Sequence, residues 1–118
     1  MAVISTAAAR PELRLVEVVD ELVAERPCDL PGPLSLQRTR VLLAQADRLR
    51  TLALQGLSDV ETRQLFAEDG AASTTAWVKD QPVAGLSAKD VTLARRLRKV
   101  PLVAAEVLAG RLSAAAGA

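Results

Sequence analysis

The sequence predicts an all-α fold: a compact multi-helix domain of about five to six helices, with a helix-turn-helix-like C-terminal half. Three observations carry this. Apolar residues recur at three- and four-residue intervals, and strand-like alternation is sustained nowhere. The apolar half of the chain is mostly Ala, Leu and Val, with aromatics at only 2% and no tyrosine, and Ala and Leu are strong helix formers. Ser, Pro and Gly fall where helices start and stop. The 118 residues suffice for one domain, read as 1–118.

Residues 1–10 read as a loose start. A first long helix is expected over 12–26, because Leu15, Val16, Val19, Leu22 and Val23 share one face while Glu17, Asp20, Glu21 and Glu25 lie off it. Arg26 precedes Pro27 and is pushed out of helical geometry. Pro27, Pro31, Gly32 and Pro33 then make a stiff connector. Ser35 is the candidate cap of a second long helix over 35–54. Leu36, Leu42, Leu43, Ala46, Leu49, Ala53 and Leu54 form its apolar stripe, and Gly56 is expected to stop it.

Ser58-Asp59-Val60-Glu61 has the capping-box spacing and predicts a short helix over 59–68, ended by Gly70. Ser73 or Thr74 caps another short helix carrying Trp77 and Val78, with Trp77 as core anchor. Pro82 and Gly85 mark a turn. Ser87 is the best-specified helix start: Asp90 sits three residues on, and Leu86 and Val91 are placed as a hydrophobic staple. That helix runs to about Lys99. Pro101 opens the next, where its missing N–H costs nothing, and Gly110 closes it. Leu112-Ser113 reads as one more start.

Composition excludes most chemistry. There is no His and only Cys28, which removes the usual zinc ligand sets and any intrachain disulfide. Ser73, Thr74 and Thr75 have no histidine to activate them. Glu68-Asp69 and Asp59/Glu61 read as solvated caps rather than metal ligands, and Cys28 as a bystander thiol. Phosphate-binding glycine loops are absent. The chain reads as a non-enzyme with no cofactor. No apolar run approaches the roughly 18 residues that span a bilayer. Ala7-Ala8-Ala9 imitates a signal cleavage site but lacks a basic region before it. The expectation is a cytoplasmic protein without a membrane partner.

Net charge is +1, but it is unevenly spread. Residues 1–34 hold six acids and three bases, and residues 35–118 hold twelve bases and eight acids. The bases concentrate on 88–99. At about 100° per residue, Val91, Leu93, Ala94 and Leu97 make an apolar arc, and Lys89, Thr92, Arg95, Arg96 and Lys99 occupy the opposite one. Those five are the candidate DNA-contacting residues, since cations on one face suit phosphates. Arg98 falls within the apolar arc and needs a partner or a route to water. Three features oppose the DNA reading: the turn is longer than a typical helix-turn-helix, Asp90 sits at the end that would meet phosphates, and the domain is not basic overall. The alternative is a protein-interaction or self-association module built on the wide apolar stripe of 35–54 and the acidic first helix.

Gly70-Ala-Ala-Ser-Thr-Thr-Ala-Trp77-Val resembles the G-x-x-S-x-x-A-W-L signature of the 13E12 repeat family (domain of unknown function 222). Leu86-Ser87, Ala94-Arg95-Arg96-Leu97, Val100-Pro101, Ala105 and Gly110-Arg-Leu-Ser113 follow that family's LS…LA-x-x-L…LP…AL-x-x-G-x-LS progression. The specific motifs lie within 70–113, and the upstream helices fit more loosely. The resemblance implies an all-helical domain of the kind found in GC-rich, actinobacteria-like genomes. Longer members often carry a C-terminal HNH nuclease, so it also implies a nucleic-acid-linked role. Without histidine this chain has no HNH metal site. It stops where members usually continue, which reads as a fragment or a short paralogue.

Overall fold

The computed structural model describes residues 10–112. The expected loose start, the Ala7–Ala9 run and Ser113 lie outside the described residues, apart from Arg10 at the first helix's start. Among the described residues the structure is all-helical, without a strand. Five α-helices among the described residues follow in order: α1 Pro11–Ala24, α2 Gly32–Thr62, α3 Thr74–Lys79, α4 Ala88–Arg98 and α5 Pro101–Leu108. Short 3-10 turns at Pro27–Asp29 and Leu65–Asp69 join them. Contacts divide the chain into two compact units, Met1–Arg40 and Val41–Ala118, with the division inside α2.

In the first unit, Pro11 starts α1, where a proline loses no helical hydrogen bond. The helix ends in extended backbone at Glu25, close to the expected boundary. None of residues 10–40 is buried. Leu13, Leu15, Val16, Val18, Val19 and Val23 of α1 are all exposed. One side chain ties α1 to the start of α2. Arg38 Nη2 donates to the Leu22 carbonyl at 2.7 Å, and Arg38 Nε lies 3.6 Å from Glu25 Oε1. The Leu22 carbonyl also accepts from the Glu25 N–H at 3.2 Å, so the guanidinium adds a second donor, and a cation, at the C-terminal end of α1.

The second long helix differs from its expected extent at both ends. It starts at Gly32, so Ser35 lies in the first turn rather than at the cap; the Ser35 N–H donates to the Pro31 carbonyl at 2.9 Å. It also runs through Gly56 to Thr62. No separate 59–68 helix forms, and Ser58 is not a cap. The periodicity explains this. Thr51, Leu54, Leu57 and Glu61 continue one inward face at three- and four-residue steps, with Thr51 and Leu57 buried. Packing along that face outweighs the roughly 1 kcal/mol that glycine costs a helix. The chain breaks instead at Gln64, in left-handed backbone (φ 56°), and Gly70 (φ 78°) ends the following 3-10 turn.

The second unit's core is Leu57, Val78, Val91 and Ala94, with Leu54, Trp77 and Leu86 packed against it. Ala104 and Val107 of α5 are also buried. Val78, at 1% exposure, is its best-buried side chain. Trp77 is only half-buried, so the anchor expected there sits one residue on. Its indole Nε1 donates to Asp69 Oδ2 at 2.8 Å, which holds the polar tip of the ring at the surface. Helix α4 packs against both α3 and α5, and α3 against the 3-10 turn before it. At the far end, Arg48 Nε donates to the Leu108 carbonyl at 2.8 Å, bringing a cation to the C-terminus of α5.

Candidate nucleic-acid interface

Local chemistry sets α4 in place. Ser87 Oγ accepts from the Lys89 N–H at 3.2 Å, and Asp90 Oδ2 accepts from the Ser87 N–H at 2.8 Å. This is the expected capping box, reciprocal as the sequence pattern requires. Leu86 joins the cluster that contains Val91, as a staple would. Helix α3 has its own cap, with Ser73 Oγ accepting from the Ala76 N–H at 3.1 Å. Between them, Gly85 takes left-handed backbone (φ 81°), which suits a residue without a Cβ. The result is a helix-turn-helix-like pair, α3 and α4, joined by residues 80–87.

Val91 and Ala94 are each 2% exposed, so the apolar arc of α4 is its inner face. The five candidate contact residues are all exposed, but their surroundings separate them. Lys89, Thr92, Arg96 and Lys99 fall three and four residues apart and form one stripe about 15 Å long at 1.5 Å per residue. Thr92 Oγ1 turns back to the Ala88 carbonyl at 3.5 Å. The side chains of Lys89, Arg96 and Lys99 make no ion pair or hydrogen bond with any described residue.

Arg95 differs. Its Nε and Nη2 grip the Glu61 carboxylate at 2.9 and 2.5 Å. Arg98, which the wheel left in the apolar arc, finds the same partner: Nη2 is 3.4 Å from Glu61 Oε2, and Nη1 donates to Ser58 Oγ at 3.4 Å. The Arg95 guanidinium, and then Arg98, hold the Glu61 carboxyl below the usual glutamate range despite partial desolvation. Glu61 in turn raises the Arg95 pKa through their hydrogen bond and charge attraction. Sequence reasoning assigned Glu61 to a cap and missed this role. The partners lie 34 and 37 residues apart, beyond any local pattern.

Asp90, the acid that opposed the DNA reading, is buried at 4% exposure. Its Oδ1 accepts from Arg50 Nη2 at 2.5 Å while Oδ2 serves the cap. Its charge is compensated from inside the unit, and it presents no carboxylate to a ligand at the start of α4.

Beside this cluster, Gln55, Ser58, Ala94, Leu97, Arg98, Pro101 and Ala104 line an open cleft of about 250 Å³. Among the described residues no group of three His, Cys, Asp or Glu is placed to hold a metal. No described helix is long and apolar enough to cross a membrane. Cys28 is exposed, with Arg26 Nη2 3.1 Å from its Sγ.

The chain matches no family model, no curated protein and no solved structure. What fold and site define together is an all-helical module whose helix-turn-helix-like pair presents a basic outer face.

Proposed function

We propose that this chain is a non-catalytic helical module of the 13E12 repeat type that lies against nucleic acid through the outer face of α4. One observation carries the reading. Lys89, Arg96 and Lys99 stand exposed on one stripe without partners, on a helix whose other face is fixed in the core. Unpaired cations on a rigid support suit a phosphodiester backbone, where release of condensed counterions drives binding. The resemblance over residues 70–113 supports a nucleic-acid setting, beside a nuclease in longer relatives. Phosphate contacts position a protein without reading bases, so the expected binding is indifferent to sequence and sensitive to salt.

The test is binding of a random duplex by fluorescence anisotropy, from about 50 to 200 mM salt. Replacing Lys89, Arg96 and Lys99 together by Ala lowers affinity at least tenfold at low salt. It also flattens the log–log salt dependence by about 0.9 per lost phosphate contact. A wild type that does not bind, or a triple variant that binds equally well, overturns the reading.

A second reading, a protein-interaction or self-association module, is favoured by a separate observation. Helix α1 buries nothing and exposes six aliphatic side chains. A 14-residue helix is marginal alone in water, so a covering partner would stabilise it.

A further inference from the structure

The stripe on α4 has two more cations beside it that the protein itself occupies. Arg95 lies one helical turn from both Thr92 and Lys99, at the i−3 and i+4 positions, on the border of the stripe. Arg98 is next to it on the side facing α2. Both point to Glu61, whose carboxylate takes two N–H groups from Arg95 and one from Arg98. The arginines remain 50% and 40% exposed, whereas Glu61 is 23% exposed. The acid is therefore the sheltered member, and the bases are the ones a ligand could reach.

We propose that Glu61 masks a wider anion-binding face, holding Arg95 and Arg98 against α2 so that only Lys89, Arg96 and Lys99 are offered to a phosphodiester backbone. The inference rests on the nucleic-acid reading and adds to it a determinant of how many phosphates the surface engages. A two-pronged arginine–carboxylate pair is geometrically matched and stronger than a single contact. Glu61 stays ionised at neutral pH because its two partners favour the charged form. A phosphate must compete with that carboxylate for the same N–H groups. A fold that only needed to join α2 to α4 already has the Arg50–Asp90 pair and the shared core.

The experiment is duplex binding across salt for wild type, Glu61→Gln, and Glu61→Gln combined with Arg98→Gln. Glu61→Gln is expected to bind about tenfold more tightly at low salt and to steepen the salt dependence by one to two contacts' worth, each about 0.9 in slope. The double variant keeps the cluster's net charge while freeing Arg95. It is expected to bind more tightly than wild type, whereas an effect of net charge alone predicts no gain. A second measurement needs no substitution. When duplex is added to wild type, the side-chain ¹⁵Nε resonance of Arg96 shifts, while those of Arg95 and Arg98 hold. Equal affinity and slope for Glu61→Gln, no gain in the double variant, or early shifts of Arg95 each overturn the masking. In those cases the stripe reading survives if the Lys89, Arg96 and Lys99 substitutions still weaken binding. Failure of wild type to bind removes both.

Discussion

Thr74 shows what a single atom costs in so thin a core. Its side chain is 3% exposed, and its hydroxyl oxygen is buried without a hydrogen-bond partner. A buried hydroxyl left unpaired costs about 1–3 kcal/mol. Thr74→Val keeps the shape and removes the polar atom, so it is expected to raise stability by about 1 kcal/mol in urea unfolding. A loss of stability would mean that the hydroxyl is satisfied. The sequence marked Thr74 as one of two cap candidates but could not choose, because Ser73 and Thr74 both suit a cap. Ser73 takes that role, and Thr74 turns inward. The basic face was similarly half-legible. The wheel placed Lys89, Thr92, Arg95, Arg96 and Lys99 outside, and all are exposed. It could not foresee that Arg95 alone of these is held by Glu61, since that acid comes from another helix.

Helix boundaries were legible where the signal is local and misleading where tertiary packing decides. Ser73, Ser87 and Pro101 open helices as their chemistry dictates, because each acts within its own first turn. At Gly110, φ of 79° and the Arg111 N–H to Glu106 carbonyl bond of 3.0 Å end α5 as a glycine should. Gly56 and Ser58 carry equally plausible local signals and are overridden, because Leu54 and Leu57 must both reach the core from one continuous helix. The same fact yields a prediction. A Cβ at Gly56 meets nothing within 4 Å, and its backbone is not left-handed. Gly56→Ala should therefore stabilise the protein by about 0.5–1 kcal/mol, read as a higher urea midpoint with unchanged slope. A lower midpoint would show that the helix bends or opens there.

The charge asymmetry visible in the sequence becomes, at the scale of the whole chain, two units with different surfaces. The first exposes aliphatic side chains among acids, and the second has its own core and a basic stripe. The association reading makes its prediction at this scale. Analytical ultracentrifugation should find species heavier than the 12.5 kDa chain, and Leu15→Glu with Val19→Glu should return them to monomer. A wild type that stays monomeric at high concentration excludes self-association through α1. The all-helical class was legible, since period and composition agree in each long segment among the described residues. The connections between α2 and α4 were not, because pairing between helices leaves no periodic trace. One of them constrains how such a chain can change over generations. Losing Arg50 first would strand the buried Asp90 carboxylate, a change that costs several kcal/mol, whereas Asp90→Asn first keeps the cap and leaves behind only a half-solvated base. Mutational drift at this pair is thus directional: the acid has to be replaced before the base. A lineage sampled midway should carry the asparagine substitution with Arg50 still in place, and not the loss of Arg50 with Asp90 retained.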